Sequence, residues 1–110
     1  MHFLIRTLLL CVIWLIALQA SALDIDPERE EELETLLYQD CGSCHGMTLK
    51  GGLGPALSRE RMNLYTPDAL ANLILQGVPG TAMPRWKGLL SEQDAHWLAD
   101  HLQNDNSLEH

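Results

Sequence analysis

Cys41, Cys44 and His45 stand in the run Cys41-Gly42-Ser43-Cys44-His45, a C-x-x-C-H spacing whose chemistry is covalent attachment of a c-type haem. On a helical turn, residues three and four apart share a face, so two thiols and one imidazole converge on one ligand. Cys41 and Cys44 would each form a thioether to a haem vinyl group, and His45 is placed to give a ring nitrogen to the iron from the proximal side. Two other chemistries use a C-x-x-C pair. A structural zinc site draws on four protein ligands, and the remaining cysteine, Cys11, lies far away in an apolar N-terminal run. A thioredoxin-like redox pair belongs beside a βαβ pattern, and the sequence shows none.

A six-coordinate haem needs a second axial ligand, for which the candidates are Met47, Met62, Met83, His96 and His101. Met47 is two residues past His45 and cannot reach the opposite face of the ring. Met62 follows the charged stretch Arg59-Glu60-Arg61 with no loop signal around it. Met83 lies in the glycine- and proline-rich Gly77-Val78-Pro79-Gly80-Thr81-Ala82-Met83-Pro84, far enough along the chain to return over the other side, and is favoured. His96 and His101 sit on an amphipathic helix with acids nearby and are expected on its surface. Methionine ligation closes the iron to substrate and points to one-electron transfer rather than to an enzyme.

Helices must position these residues. Asp26-Pro27-Glu28 reads as N-cap, first helical proline and acidic first turn, opening a helix expected to run to about Cys41. Leu33, Leu36, Leu37 and Cys41 form its buried stripe. Gly46 to Leu57 is too rich in glycine for a regular element; its Gly52-x-Gly54 lacks the preceding strand and third glycine of a nucleotide loop. Thr66-Pro67 opens a second helix that ends near Gln76, with Gly77 as its C-terminal glycine. A third begins at Ser91, with Asp94 in the reach-back position of a capping box, and runs to about Leu102 or Gln103. No segment shows strand alternation.

The first residues are expected to be a leader. Arg6 carries the positive charge, Leu8 to Leu18 is almost unbroken apolar sequence, and Ala20-Ser21-Ala22 is a small-residue cleavage site. Residues 1–22 therefore read as a cleaved signal peptide, 23–103 as one domain and 104–110 as a polar tail; an uncleaved anchor is the alternative. Export implies a periplasmic location with no membrane contact after cleavage. The formal net charge of −8 argues against nucleic acid and anionic lipid as partners. The charge is uneven: the acids crowd between Asp24 and Asp40, where Arg29 is the one base. Lys50, Arg59, Arg61, Arg85 and Lys87 flank the two loops, with Arg85 and Lys87 placed to steer an acidic redox partner.

Together with Gly54-Pro55-Ala56-Leu57, Met83-Pro84 and the final amphipathic helix, the haem motif resembles a class I monohaem cytochrome c. The strings Gln39 to Leu57 and Pro79 to Trp86 are most similar to the small NirC-type (cytochrome c-55X) proteins encoded with cytochrome cd1 nitrite reductase in denitrifying bacteria. That resemblance implies an all-α fold with about three main helices and irregular loops around one covalently bound haem c, the first and last helices crossing. It implies that the Pro55 carbonyl accepts a hydrogen bond from the outer nitrogen of His45, that Leu57 lines the haem, and that Trp86 or Arg59 meets a propionate. It further implies a monomer that exchanges electrons with cytochrome cd1 nitrite reductase or serves haem d1 biosynthesis. Two other classes are a haem-based gas-ligand binder or sensor, in which Met83 leaves the iron, and a metal-binding or scaffold protein without haem.

Overall fold

In the computed structural model, which describes residues 1–20 and 25–104 and the side chains of these except 13–20, all regular structure is helical and no strand occurs among the described residues. The apolar N-terminal run forms α1 (His2–Ala20). Among the described residues no helix is long and apolar enough to cross a membrane. The expected cleavage site, completed by Ser21 and Ala22, the cut before Leu23, and the tail from 105 onward fall outside the described residues.

The scaffold proper starts at Asp26, whose carboxylate accepts the Glu28 N–H at 2.9 Å and caps α2 (Pro27–Leu36). A regular α-helix was expected as far as Cys41. Instead Leu37–Cys41 is a wider π-helical turn, in which the Gly42 N–H reaches the Leu37 carbonyl five residues back. The Ser43 hydroxyl takes up the Asp40 carbonyl at 2.7 Å. The chain then re-enters regular helix as α3 (Gly42–His45). Such single π turns recur at functional sites, and this one leads straight into the C-x-x-C-H residues.

A further short helix, α4 (Arg59–Met62), is capped by the Ser58 hydroxyl on Arg61 N at 3.3 Å. One turn is too short to announce itself by periodicity, and its Met62 is a buried core residue. The next helix, α5 (Pro67–Gln76), starts where Thr66 caps Ala69 N at 3.2 Å and buries Leu70, Ala71, Ile74 and Leu75. The last, α6 (Glu92–Asn104), runs one residue into the stretch expected as tail, where the Asn104 side-chain amide donates to the Asp100 carboxylate one turn back at 2.9 Å.

These helices share one core. Leu33 and Leu37 join Leu70, Ile74, Leu75, Ala95, Leu98, Ala99 and Leu102, with Leu33, Leu37 and Leu98 at 1% exposure or less; each such leucine stabilises the fold by about 1.5–3 kcal/mol over its exposed state. Gln103, also buried, ties α6 to α4: its amide donates to the Met62 and Tyr65 carbonyls at 3.0 Å each. His101, expected on the surface, is buried. It stacks on Trp97 with centroids 4.8 Å apart and lies 3.4 Å from the Tyr38 hydroxyl, because the crossing of the first helical run over α6 covers that face.

The crossing is held by charge as well as by leucines. Arg29 donates to both oxygens of Asp94, from Nε at 3.2 Å and from Nη2 at 2.8 Å. Asp94 also accepts the Ser91 N–H at 2.9 Å while Ser91 Oγ accepts the Asp94 N–H at 3.0 Å, a reciprocal capping box. The Arg29 bonds, followed by those from Ser91, hold the Asp94 carboxyl below the usual carboxylate range against the opposing effect of burial. A depressed carboxylate stabilises the fold above its unfolded pKa, and that contribution drains away as pH falls through the folded value. Asp94→Asn is therefore expected to cost about 1–2 kcal/mol at neutral pH. In urea titrations the gap to wild type should close on acidification below about pH 4; a gap that persists at low pH would assign the loss to packing instead.

Candidate functional site

The C-x-x-C-H residues sit at the C-terminal end of the first helical run, where helix carbonyls lack internal partners. The chain after His45 supplies them. Gly54 N donates to the Cys44 carbonyl and Gly51 N to the His45 carbonyl, both at 2.8 Å, while Leu57 N reaches Leu49 O at 2.8 Å. Residues 46–57 are thereby folded back over the helix end. Leu49 pins the loop from inside: it is 2% exposed although its φ is +56°, a backbone strain offset by the burial of a whole leucine side chain.

The folded-back loop delivers Pro55 to the imidazole, with His45 Nδ1 lying 2.7 Å from the Pro55 carbonyl oxygen. A carbonyl oxygen only accepts, so Nδ1 carries the proton and donates, which leaves Nε2 with its lone pair directed away from Pro55 and free for a metal. Gly54 makes this approach possible. A Cβ there would lie 2.9 Å from His45 Nδ1 and 3.0 Å from Cε1, inside contact distance of the ring. Gly42 is different: a Cβ would meet Met47 and Leu37 at ordinary distances of 3.5 Å or more, so a slim residue is not required between the cysteines.

The two thiols are unequal. Cys44 is exposed, whereas Cys41 is half-buried against the core. Burial, with the Asp40 carboxylate adding to it, pushes the Cys41 thiol up to about 11. A thiol held neutral at ordinary pH is the opposite of the acidic, activated cysteine of a dithiol oxidoreductase. Among the described residues no group of three or more His, Cys, Asp and Glu side chains is arranged to hold a metal ion. Two tethering sulfurs, an oriented imidazole with one free nitrogen, and a glycine that clears its ring are a donor set that fits covalently attached haem.

Met83 comes from elsewhere, a half-buried side chain on the loop between α5 and α6. Leu57 is buried in the common core, and Trp86 is packed against it. Met47 is exposed and Met62 is core. His96 is about half exposed and lies 3.7 Å from Asp68. Lys50, Arg61, Arg85 and Lys87 are all exposed, Arg85 donating to Gln76 Oε1 at 3.0 Å, whereas Arg59 is half-buried. Leu49, one leucine among glycines, carries no period, and Arg29, a lone base in an acidic run, reads as a solvated charge, so the sequence announces neither.

The profile of the family described as cytochrome c oxidase, cbb3-type, subunit III, matches residues 28–102. The chain is 53% identical over 77 residues to cytochrome c55X of Pseudomonas aeruginosa, an alignment covering 70% of this chain and 65% of that protein. It thus spans about two thirds of that relative's length. A solved structure described as c-type cytochrome NirC superposes with a TM-score of 0.69 and 51% identity, covering 72% of this chain and 93% of that one. Over 69 residues the chain is also 36% identical to dihydro-heme d1 dehydrogenase of Pseudomonas aeruginosa, where the match takes in 63% of this chain but 14% of that protein.

The Gly54 geometry gives a direct expectation. In Gly54→Ala the new methyl should push the imidazole off the Pro55 carbonyl, weaken the basicity that this bond lends to the ring, and raise the reduction potential. Redox titration of the holoprotein checks it, and a potential unchanged from wild type would mean that the ring keeps its orientation without Pro55.

Proposed function

The chain belongs to the c-type cytochromes, within the cytochrome c55X and NirC group, and on that premise we propose that it carries single electrons in the periplasm. Its cofactor is one haem c. Cys41 and Cys44 would hold it through thioether sulfurs, and His45 Nε2 and Met83 would bind the iron. The iron, so held, supplies reversible one-electron chemistry between its ferrous and ferric states. The observation that carries this reading is the short contact of His45 Nδ1 with the Pro55 carbonyl, which fixes the tautomer and aims the other nitrogen. Every remaining task falls to the protein: Pro55 raises the basicity of the ring, Leu57 gives the site an apolar wall, and Met83 occupies the coordination position that a substrate would otherwise use. Arg59 or Trp86, both half-buried, is the side chain proposed to meet a propionate.

The leader pattern of residues 1–22 supports export, and cleavage there leaves a monomer without a membrane anchor. For the partner, the proposal is a haem d1 enzyme. Either cytochrome cd1 nitrite reductase receives the electron, or an enzyme of haem d1 biosynthesis yields it. The second is supported by the 36% identity to a stretch of a protein whose name is dihydro-heme d1 dehydrogenase.

Arg85 and Lys87, exposed on the segment that follows Met83, make the docking charge. Reversing both to glutamate should lower the bimolecular electron-exchange rate with an acidic partner about tenfold at low ionic strength and less than about twofold at about 0.5 M salt. Stopped-flow traces against purified cytochrome cd1 nitrite reductase and against dihydro-haem d1 dehydrogenase read this and separate the two partners. A low-salt rate equal to wild type with both would remove these bases from the docking surface.

A further inference from the structure

The loop that carries Met83 is closed on itself. Val78-Pro79-Gly80-Thr81 is a type II β-turn, with proline and a positive-φ glycine (φ +77°) in the two central places, and the Thr81 N–H returns to the Val78 carbonyl at 3.2 Å. The Thr81 hydroxyl then acts twice, donating to the Val78 carbonyl at 2.7 Å and accepting the Met83 N–H at 3.3 Å. The Val78 N–H donates to the Met83 carbonyl at 3.3 Å, closing the ring of residues, and Pro84 confines Met83 to extended backbone.

This ring stands on Gly77. The Gly77 N–H still belongs to α5 through Leu73 O at 2.8 Å, yet its own backbone turns to φ +67°, ψ −169°, a region open essentially to glycine alone. A Cβ at this position would lie 2.7 Å from the Met83 carbonyl oxygen and 2.6 Å from that of Pro84. Nothing larger than glycine lets the far end of the loop come back to the end of the helix.

We propose that Gly77 and Thr81 are positioning residues for the axial methionine: they fix the Met83 backbone from both sides, so that ligation of the iron needs only the side chain to be ordered. This rests on the reading of Met83 as the distal ligand. Pre-organisation of this kind lowers the population in which the sulfur is off the iron, and the apparent affinity for a competing ligand scales with that population.

The test uses holoprotein in the ferric form, with imidazole as the competing ligand and the long-wavelength methionine-to-iron charge-transfer band as the signature. Gly77→Ala should bind imidazole about tenfold more tightly than wild type, Thr81→Val about threefold, and Thr81→Ser, which keeps the hydroxyl, within error of wild type. The Thr81 pair keeps the proposal testable should Gly77→Ala accumulate poorly. Met83→Ala separates the two levels of the argument. If it retains the band, Met83 is not the ligand and the underlying reading fails. If it loses the band while Gly77→Ala and Thr81→Val bind imidazole as wild type does, the ligand stands and the positioning roles are overturned. Parallel thermal melts distinguish positioning from general loosening: equal weakening by Thr81→Val and Thr81→Ser, in step with a lower Tm, would also overturn the proposal.

Discussion

A single hydrogen bond sets the terms for the site: the Nδ1–H of His45 on the carbonyl of Pro55, at 2.7 Å. An imidazole on an exposed helix end has two nitrogens and a free rotor, and neither the choice of nitrogen nor the direction of the ring is given by the helix. The carbonyl decides both. For the carbonyl to arrive, the chain must turn back within ten residues, which it does by bonding the unpartnered Cys44 and His45 carbonyls to Gly54 and Gly51. It must also approach the ring without a side chain in the way, and Gly54 meets that requirement. The same backbone bonds that end the helix therefore orient the imidazole proposed as the haem ligand.

The second loop repeats the logic on the other element. A helix ends at a glycine, the chain doubles back, and carbonyls and amides close a small ring that holds one side chain out, here Met83. Both loops are tied by backbone hydrogen bonds to the ends of helices, Gly54 to Cys44 and Gly51 to His45 in the first and Gly77 to Leu73 in the second. Each borrows rigidity from the helix it leaves, so the α2, α5 and α6 framework must be held firmly for the two loops to keep their relation. Leu33, Leu37 and Leu98 supply the apolar part of that restraint. The Arg29–Asp94 pair adds a directional one across the helix crossing, and Gln103 adds another between α4 and α6.

Much of this was legible in the residues, and the reasons differ by element. The starts of α2, α5 and α6 were readable because Asp26-Pro27, Thr66-Pro67 and the Ser91/Asp94 pair are local chemistry, each satisfying amides one turn away. The C-x-x-C-H run carries its own helix phase, so a helical setting for Cys44 and His45 could be read without any fold. What could not be read depends on a choice between neighbouring hydrogen-bond partners or on contacts distant in sequence. The π turn at Leu37–Cys41 is a choice of hydrogen-bond partner one residue further back, which no periodicity announces. His101 looked like a surface residue on its own helix, and Tyr38, 63 residues away in sequence, is what covers it. Leu49 and Arg29 are likewise defined by what comes to meet them. The positioning role of Gly77 needed the backbone of Met83 and Pro84 to be placed before a Cβ could be seen to collide.

On the proposed reading, His45 and Met83 would together hold the iron and leave it closed to other ligands, so that the protein would relay electrons and bind no gas. Carbon monoxide on the ferrous holoprotein at neutral pH tests this most directly, since it binds only where an axial position opens. The absorption spectrum should stay that of the unliganded ferrous protein under a saturating atmosphere; rapid and complete conversion to a carbonyl complex would contradict a closed iron and turn the reading toward a gas-binding haem protein.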